Sequence, residues 1–527
     1  MTLTSTLRYT SRTCTLFISM KAHVANLNNN NFLLLLSIKF FMENSRRYII
    51  LVCIFFTILI PISNSAQFVS TSQNITDTTQ TVDSSSPEKF RFGFFSPGNS
   101  SNRYVGIWFN NVPGPTTVWV ANRDNPLQDS TGVLKIGKDG NLIIVAGEKN
   151  VIWTSNVSSS TVTTNSRAEL LDTGNLVLRN GSGGIVWQSF DHPSNVFLPN
   201  MTIGVNTKTG HKLVITSWKD EESDPSNGNF TLELDPMGIP QSIIMDGFVN
   251  ERHWRSGPWN NRNFIGIPTV SSTYLDRFSV LTDNEKGTVY LTLAYSEVRN
   301  ILQKYTLTSE GNFIETQWNE EKKEWEEKWR AQDTECDVYG KCGPFGSCNI
   351  LDSPICRCLE GFVPKSIDEW RNGNWLGGCA RVAELQCHRS KNETYNPKNV
   401  SRTDAGGNEA DGFLKYEKMK VPDYVERWET LSAKECRQSC LQNCSCLAYA
   451  SDRNIGCMWW ARDLVDMQKF GDFSGAGIEL YVKVASSELG TKKDDRIFII
   501  AGIVIGIVII SLCIFLCWRR KTKQRGI

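Results

Sequence analysis

At 527 residues the chain is longer than one apolar core supports, so several domains of roughly 50 to 200 residues are expected. Its 56 basic and 55 acidic residues nearly cancel and 40% of it is hydrophobic. That balance excludes the broad electropositive surface a nucleic-acid partner requires.

The first predicted element is an apolar run from Tyr48 to Ile60, led by Arg46 and Arg47 and followed by small polar residues around Ser63 to Ala66. Charged, apolar and small residues in that order predict a secretory signal over 42–66, cleaved near Ser65 or Ala66, with an uncleaved signal anchor as the rival reading. Residues 1–41 read as an extension ahead of the natural start at Met42.

From 67 to 190 short alternating apolar runs are separated by Gly, Asn, Asp and Ser, which predicts strands and turns. Trp119, Trp153 and Trp187 recur at a constant spacing of 34, and Gly140-Asn141-Leu142 maps by the same shift onto Gly174-Asn175-Leu176. The expectation is a β unit repeated around a pseudo-threefold axis, with indoles filling the centre and Gly-Asn steps supplying positive φ at turns.

These residues resemble the bulb-type mannose-binding lectin domain, a β-prism. The ordered strings FRFGFFSPGNSSNRYVGIW, VWVANRDNPL, DGNLIIV, LLDTGNLVLRN and VWQSFDHP look like the extracellular part of plant S-domain receptor-like kinases and S-locus glycoproteins. The lectin pocket that the resemblance implies follows Q-x-D-x-N-x-V-x-Y. Here the first repeat offers Gly137, Asp139, Asn141, Ile143 and Val145, and the second Leu171, Thr173, Asn175, Val177 and Arg179. With Gln and Tyr missing, Asp139, Asn141 and Asn175 are expected to be a vestigial lectin site that shapes turns, with mannose binding weak or absent.

Residues 191–331 stay β-like and carry Trp218, Trp254, Trp259, Trp318, Trp325 and Trp329. Gly228-Asn229-Phe230 and Gly311-Asn312-Phe313 echo the earlier turns, so a second, degenerate prism is expected, the S-locus glycoprotein region of the family with its RSGPWN string. The run Asn319 to Lys328 reads as a solvated charged loop or turn.

Twelve cysteines then follow between Cys336 and Cys457, an even number suited to disulfides in an oxidising compartment; the spacing does not favour zinc. Residues 332–380 resemble an EGF-like module, and the family pattern implies Cys336–Cys348, Cys342–Cys356 and Cys358–Cys379, although spacing alone leaves fifteen connectivities open. Asp333 and Glu335 are not spaced as a calcium site. Residues 387–484 resemble a PAN/apple domain, where cysteines at spacing four from Lys434 to Cys444 suggest one helical face; the resemblance implies Cys436–Cys457, Cys440–Cys446 and Cys387–Cys444.

After a linker at 485–496, the apolar run 497–518 from Ile497 to Trp518 predicts a transmembrane helix, and the basic tail 519–527 places it with a cytoplasmic C-terminus. Gly502 and Gly506 form a helix dimer face, and Cys517 is a palmitoylation candidate. N-glycan acceptors, Asn74, Asn99, Asn156, Asn180, Asn200, Asn229, Asn392, Asn399 and Asn443, all lie between the signal and this helix.

The fold expected is therefore mainly β: a bulb-lectin β-prism, a second lectin-like β region, an EGF-like module, an α+β PAN/apple domain and one transmembrane helix. His23, His192, His211, His253 and His388 are scattered without catalytic or metal-ligand spacing, and no kinase signatures occur. The reading is a single-pass plasma-membrane receptor-like glycoprotein without catalysis or cofactors. Its expected partners are an extracellular peptide, glycan or microbial ligand, a second copy or a full-length receptor kinase, and membrane lipid. A role as co-receptor or decoy follows from that reading; the alternatives are a piece of a Ser/Thr receptor kinase and a mannose-binding lectin proper.

Overall fold

The computed structural model describes residues 68–77, 81–84, 89–147, 149–158, 165–268, 278–294, 301–386, 411–472, 474–489 and, in the last stretch, 506–507, 509–512 and 514–516. The expected signal segment, residues 387–410 with Cys387, Asn392 and Asn399, and most of the expected membrane span, including Gly502, lie outside them.

Three four-stranded antiparallel sheets build the first prism. Their outermost-to-outermost orders are Val82–Asp83, Phe90–Phe95, Tyr104–Phe109, Thr117–Val120; Ile75–Thr76, Gly132–Ile136, Leu142–Ala146, Asn150–Thr154; and Phe68–Ser70, Arg167–Leu170, Leu176–Arg179, Ile185–Gln188. Each sheet ends in the strand bearing a repeat tryptophan, and each carries a register shift beside it. The bulge turns the indole toward the axis. There Trp119, Trp153 and Trp187 meet edge to face, with centroids 5.7 to 6.1 Å apart and interplanar angles of 66 to 78°. Indole quadrupoles favour this arrangement over parallel stacking.

Residues 196 to 330 form three more four-stranded sheets and hence a second prism. One contains Val196–Phe197, Gln303–Leu307, Phe313–Asn319 and Glu324–Arg330; the next, Lys212–Leu213, Thr202–Asn206, Thr288–Leu293 and Phe278–Asp283; the last, Ile215–Asp220, Asp224–Asp235, Gln241–Asp246 and Glu251–Arg255. Trp254 and Trp329 occupy its axis edge to face at 6.4 Å, while the sheet ending in Phe278–Asp283 contributes Phe278 to the same apolar centre. One buried cluster runs from Val69 to Ala331 through both prisms. Phe109 of the first lies 5.1 Å from Trp325 of the second.

Two local expectations change. Gly228 sits inside the strand Asp224–Asp235, opposite a register shift at Trp218, so Gly228-Asn229-Phe230 is a bulge and only Gly311-Asn312 repeats the turn. The charged run 319–328 is a hairpin tip and an edge strand, with Lys322 and Lys328 both reaching Glu326 at 2.7 and 2.6 Å. Alternation explains the strand: Trp325 turns inward toward Phe109 while its charged neighbours stay in water.

Beyond the prisms, the disulfide-bonded hairpin Gly346–Cys348/Cys356–Cys358 joins the PAN-like strands in one eight-stranded sheet, because Ser347 pairs in parallel with Met467. The helix Ala433–Gln442 packs on that sheet, started by a capping box in which Ser432 and Glu435 satisfy each other's backbone N–H. It ends before Cys444, so only Cys436 and Cys440 share its face. Disulfides join Cys336–Cys348, Cys342–Cys356, Cys358–Cys379, Cys436–Cys457 and Cys440–Cys446. Cys444 is also disulfide-bonded.

Candidate functional site

Asp139, Asn141 and Asn175, expected to be a vestigial lectin site, lie at two equivalent turns. Gly140 and Gly174, at φ 82° and 84°, close them, with Gly137 N donating to Asn141 O at 2.7 Å and Leu171 N to Asn175 O at 2.9 Å. Asn141 is 5% exposed. Its Nδ2 donates to Asp139 Oδ2 at 2.9 Å and to Val157 O at 3.2 Å. Its Oδ1 accepts from Ser155 Oγ at 2.8 Å and Val157 N at 2.7 Å. Both donors and both lone pairs of the amide are thus used within the chain. At the second turn, Asn175 Nδ2 donates to Gln188 and its Oδ1 accepts from Ser189 Oγ and Phe190 N. These amides hold the segment after each tryptophan strand to its turn, and Asn312 does the same in the second prism through Gln332.

The serine that follows each pair was not singled out by sequence reasoning. In Trp153-x-Ser155, Trp187-x-Ser189 and Trp254-x-Ser256 the hydroxyl accepts from the N–H of Leu142, Leu176 and Ser242 at 3.1, 2.9 and 2.9 Å. A recurring Trp-x-Ser spacing was the available signal.

Two motif arginines clamp domains together. Arg123, from VWVANRD, reaches across from the first prism to donate to Pro225 O, Thr216 O and Ser217 O at 2.7, 3.2 and 2.9 Å. Burial draws its guanidinium down to about 10. Arg255, from RSGPWN, is wholly buried and donates to Asp466 Oδ2 at 2.6 Å and Val421 O at 2.5 Å. Lys420 Nζ lies 2.9 Å from the same carboxylate, and Gly340 N donates to its other oxygen. Burial would raise the Asp466 carboxyl, but the Lys420 and Arg255 cations outweigh it and hold it below the usual carboxylate range. Beside them Asp423 accepts from Arg252, Gln241 and Tyr339 at 2.6, 2.8 and 2.9 Å. The second prism, the turn at Tyr339 and Gly340 and the PAN-like sheet therefore share one buried polar network.

Of the acceptor asparagines described, Asn74, Asn99, Asn156, Asn200 and Asn229 are exposed, while Asn180 and Asn443 are half-buried. His192 stacks on Trp187 at 5.4 Å and His211 is exposed, whereas His253 packs against Phe230. Among the described residues the grouping close enough to hold a metal ion is Cys342, Cys348 and Cys356, and all three sulfurs are in disulfides. Glu335 pairs with Lys341 at 2.8 Å. Among the described residues no helix is long and apolar enough to cross a membrane; Gly506 lies in a helical turn with open space around it.

Comparison with known proteins places these elements. Residues 116–219 match the D-mannose binding lectin family, 254–366 the S-locus glycoprotein domain and 407–467 the PAN-like domain. Two G-type lectin S-receptor-like serine/threonine-protein kinases of Arabidopsis thaliana are 39% identical over 446 residues and 42% identical over 440. The chain belongs to the S-domain, G-type lectin family. Those alignments cover 84% and 82% of it but 52% and 50% of the relatives, so this S-domain chain spans about half the length of the curated relatives it matches. The family domains matched are lectin, S-locus and PAN types, none of them catalytic. A monomeric monocot mannose-binding lectin from Gastrodia elata is 19% identical, aligned over 24% of this S-domain chain and 96% of its own, with a TM-score of 0.18.

Proposed function

We propose that the chain is the extracellular ligand-binding part of a single-pass plasma-membrane receptor-like glycoprotein, with a peptide, glycan or microbial molecule as ligand. The observation that carries this reading is the disulfide-closed array of lectin, S-locus and PAN-like domains, built for recognition and stabilised as secreted proteins are. The apolar sequence run from Ile497 to Trp518, with the basic residues that follow it, supports the membrane anchor.

Within that reading the lectin prism is a scaffold with weak or absent mannose binding, because Asn141 has no hydrogen-bonding capacity left for a sugar. Recognition then falls to other surfaces of the array. The test is a cell-surface expression experiment with tags at both ends: the reading expects the N-terminal tag outside, the C-terminal tag inside, and glycans on the ectodomain. An unglycosylated chain with free thiols would overturn it.

A second reading, that this ectodomain belongs to a longer serine/threonine kinase chain, is supported by the names of its relatives and by the half-length coverage. Sequencing the full transcript past Ile527 decides between them.

A further inference from the structure

Where the first prism's axis ends against the second prism, a cavity of about 500 Å³ opens, within the range of small-ligand sites. Its lining includes the indoles Trp119, Trp153 and Trp187, the first and last buried and Trp153 half-buried. Polar groups from both prisms form the wall, with Asn227 Nδ2 donating to Asp124 Oδ2 at 2.9 Å. Indole surface beside amide and carboxylate groups complements a pyranose, which has apolar C–H faces and a hydroxyl edge.

Asn156 stands on the rim of this cavity, exposed, at φ 51° and within an Asn-Val-Ser acceptor sequence. Both neighbours are pinned. Ser155 Oγ donates to Asn141 Oδ1 at 2.8 Å, and Val157 exchanges two hydrogen bonds with the Asn141 amide. Asn156 N donates to Thr154 Oγ1 at 3.2 Å. A group attached to its side chain therefore starts from a fixed point at the cavity mouth.

We infer that the cavity is a saccharide site occupied by the chain's own N-linked glycan, carried on Asn156, with the first sugar rings over the indole triad. Attachment transfers the oligosaccharide from a lipid-pyrophosphate donor. The Asn156 Nδ2–C1 bond forms as the C1–O bond breaks, the lipid pyrophosphate leaves with the electron pair, and one amide proton passes to a base. Tethering makes the second step intramolecular, so contacts too weak to retain a free sugar suffice to hold this one. The triad and the Asn141 network act together: one supplies the surface and the other aims the glycan at it.

The inference rests on the lumenal reading above, and one experiment separates the two. The full chain is made in a eukaryotic secretory host, treated native with a peptide N-glycanase, and analysed site by site by mass spectrometry. Release at Asn156 is expected to be about tenfold slower than at Asn74, Asn99 and Asn229, as for a linkage exposed about a tenth of the time, and to match them after denaturation. The variant Asn156→Gln is expected to secrete normally and to exchange amide hydrogens faster at residues 119–125 and 153–157. Equal release rates, or an unmodified Asn156 beside glycosylated neighbours, would overturn this inference alone. A chain without any glycan would overturn the lumenal reading and this inference with it. Free mannose or N-acetylglucosamine that restores slow exchange in Asn156→Gln would assign the cavity to an external saccharide and overturn the tethered assignment.

Discussion

Arg255 and Asp466 meet at 2.6 Å although 211 residues separate them, and their side chains are 0% and 4% exposed. One comes from the strand Glu251–Arg255 of the second prism and the other from the PAN-like domain, so folding of each fixes the other's charge in a dry interface.

Removing the cation leaves the Asp466 carboxylate with Lys420 and Gly340 N alone. Arg255→Met is expected to destabilise the fold by about 1–3 kcal/mol, the usual cost of leaving buried acceptors without their donor, here Val421 O and Asp466 O. Arg255→Lys rescues little, because an ammonium lacks the planar fork that also reaches Val421 O. Thermal unfolding of both variants checks this; a lysine variant as stable as the parent would refute the geometry.

Acid sensitivity follows from the same network. Burial favours the neutral acid at both Asp423 and Asp466, but neighbouring cations outweigh it, Arg255 and Arg252 at Asp423 and Lys420 then Arg255 at Asp466, and both carboxyls lie below the usual range. A folded value below the unfolded one, near ~3.9, means the stabilisation is fully present above about pH 4 and fades as pH falls through the folded value. Unfolding midpoints should stay level down to about pH 4 and then fall, less steeply in Asp423→Asn. A fall that starts near pH 6 would point to other groups.

At the lectin turn, Asn141→Ala strands the buried Ser155 hydroxyl and the Val157 N–H, for an expected loss of about 1–3 kcal/mol. Asp139→Ala, at an exposed position, should change stability by about 0.5 kcal/mol or less. Mannose-column retention should be equally low for parent and variants, and retention abolished by Asn141→Ala alone would contradict a structural role.

The helix Ala433–Gln442 is too short to persist alone and is fastened by Cys436–Cys457. Replacing both cysteines by serine is expected to cost about 2–5 kcal/mol. Hydrogen exchange over residues 433–442 should rise first, ahead of both prisms.

Much of the first prism was legible because its signals are local: a 34-residue tryptophan repeat, Gly-Asn turns and alternating strands. The second prism was readable only as an echo, since one of its three axial positions has lost its tryptophan and one Gly-Asn step became a bulge. The charged segment 319–328 misled because net charge hid the inward Trp325. The lectin turn could be read as degenerate from missing residues. That its amide is saturated could not, because Val157 and Ser155 approach Asn141 only after the sheet closes. The roles of Arg123 and Arg255 were out of reach for the same reason: each acts on backbone or carboxylate from another domain.

The parallel pairing of Ser347 with Met467 makes the hairpin Gly346–Cys348/Cys356–Cys358 the margin of its neighbour's sheet. A splice form that skipped residues 332–380 would not release an independent bead from a string. It would bare the backbone of Met467–Lys469 as a template for a foreign strand, so such a transcript is expected to yield a sticky product retained by quality control.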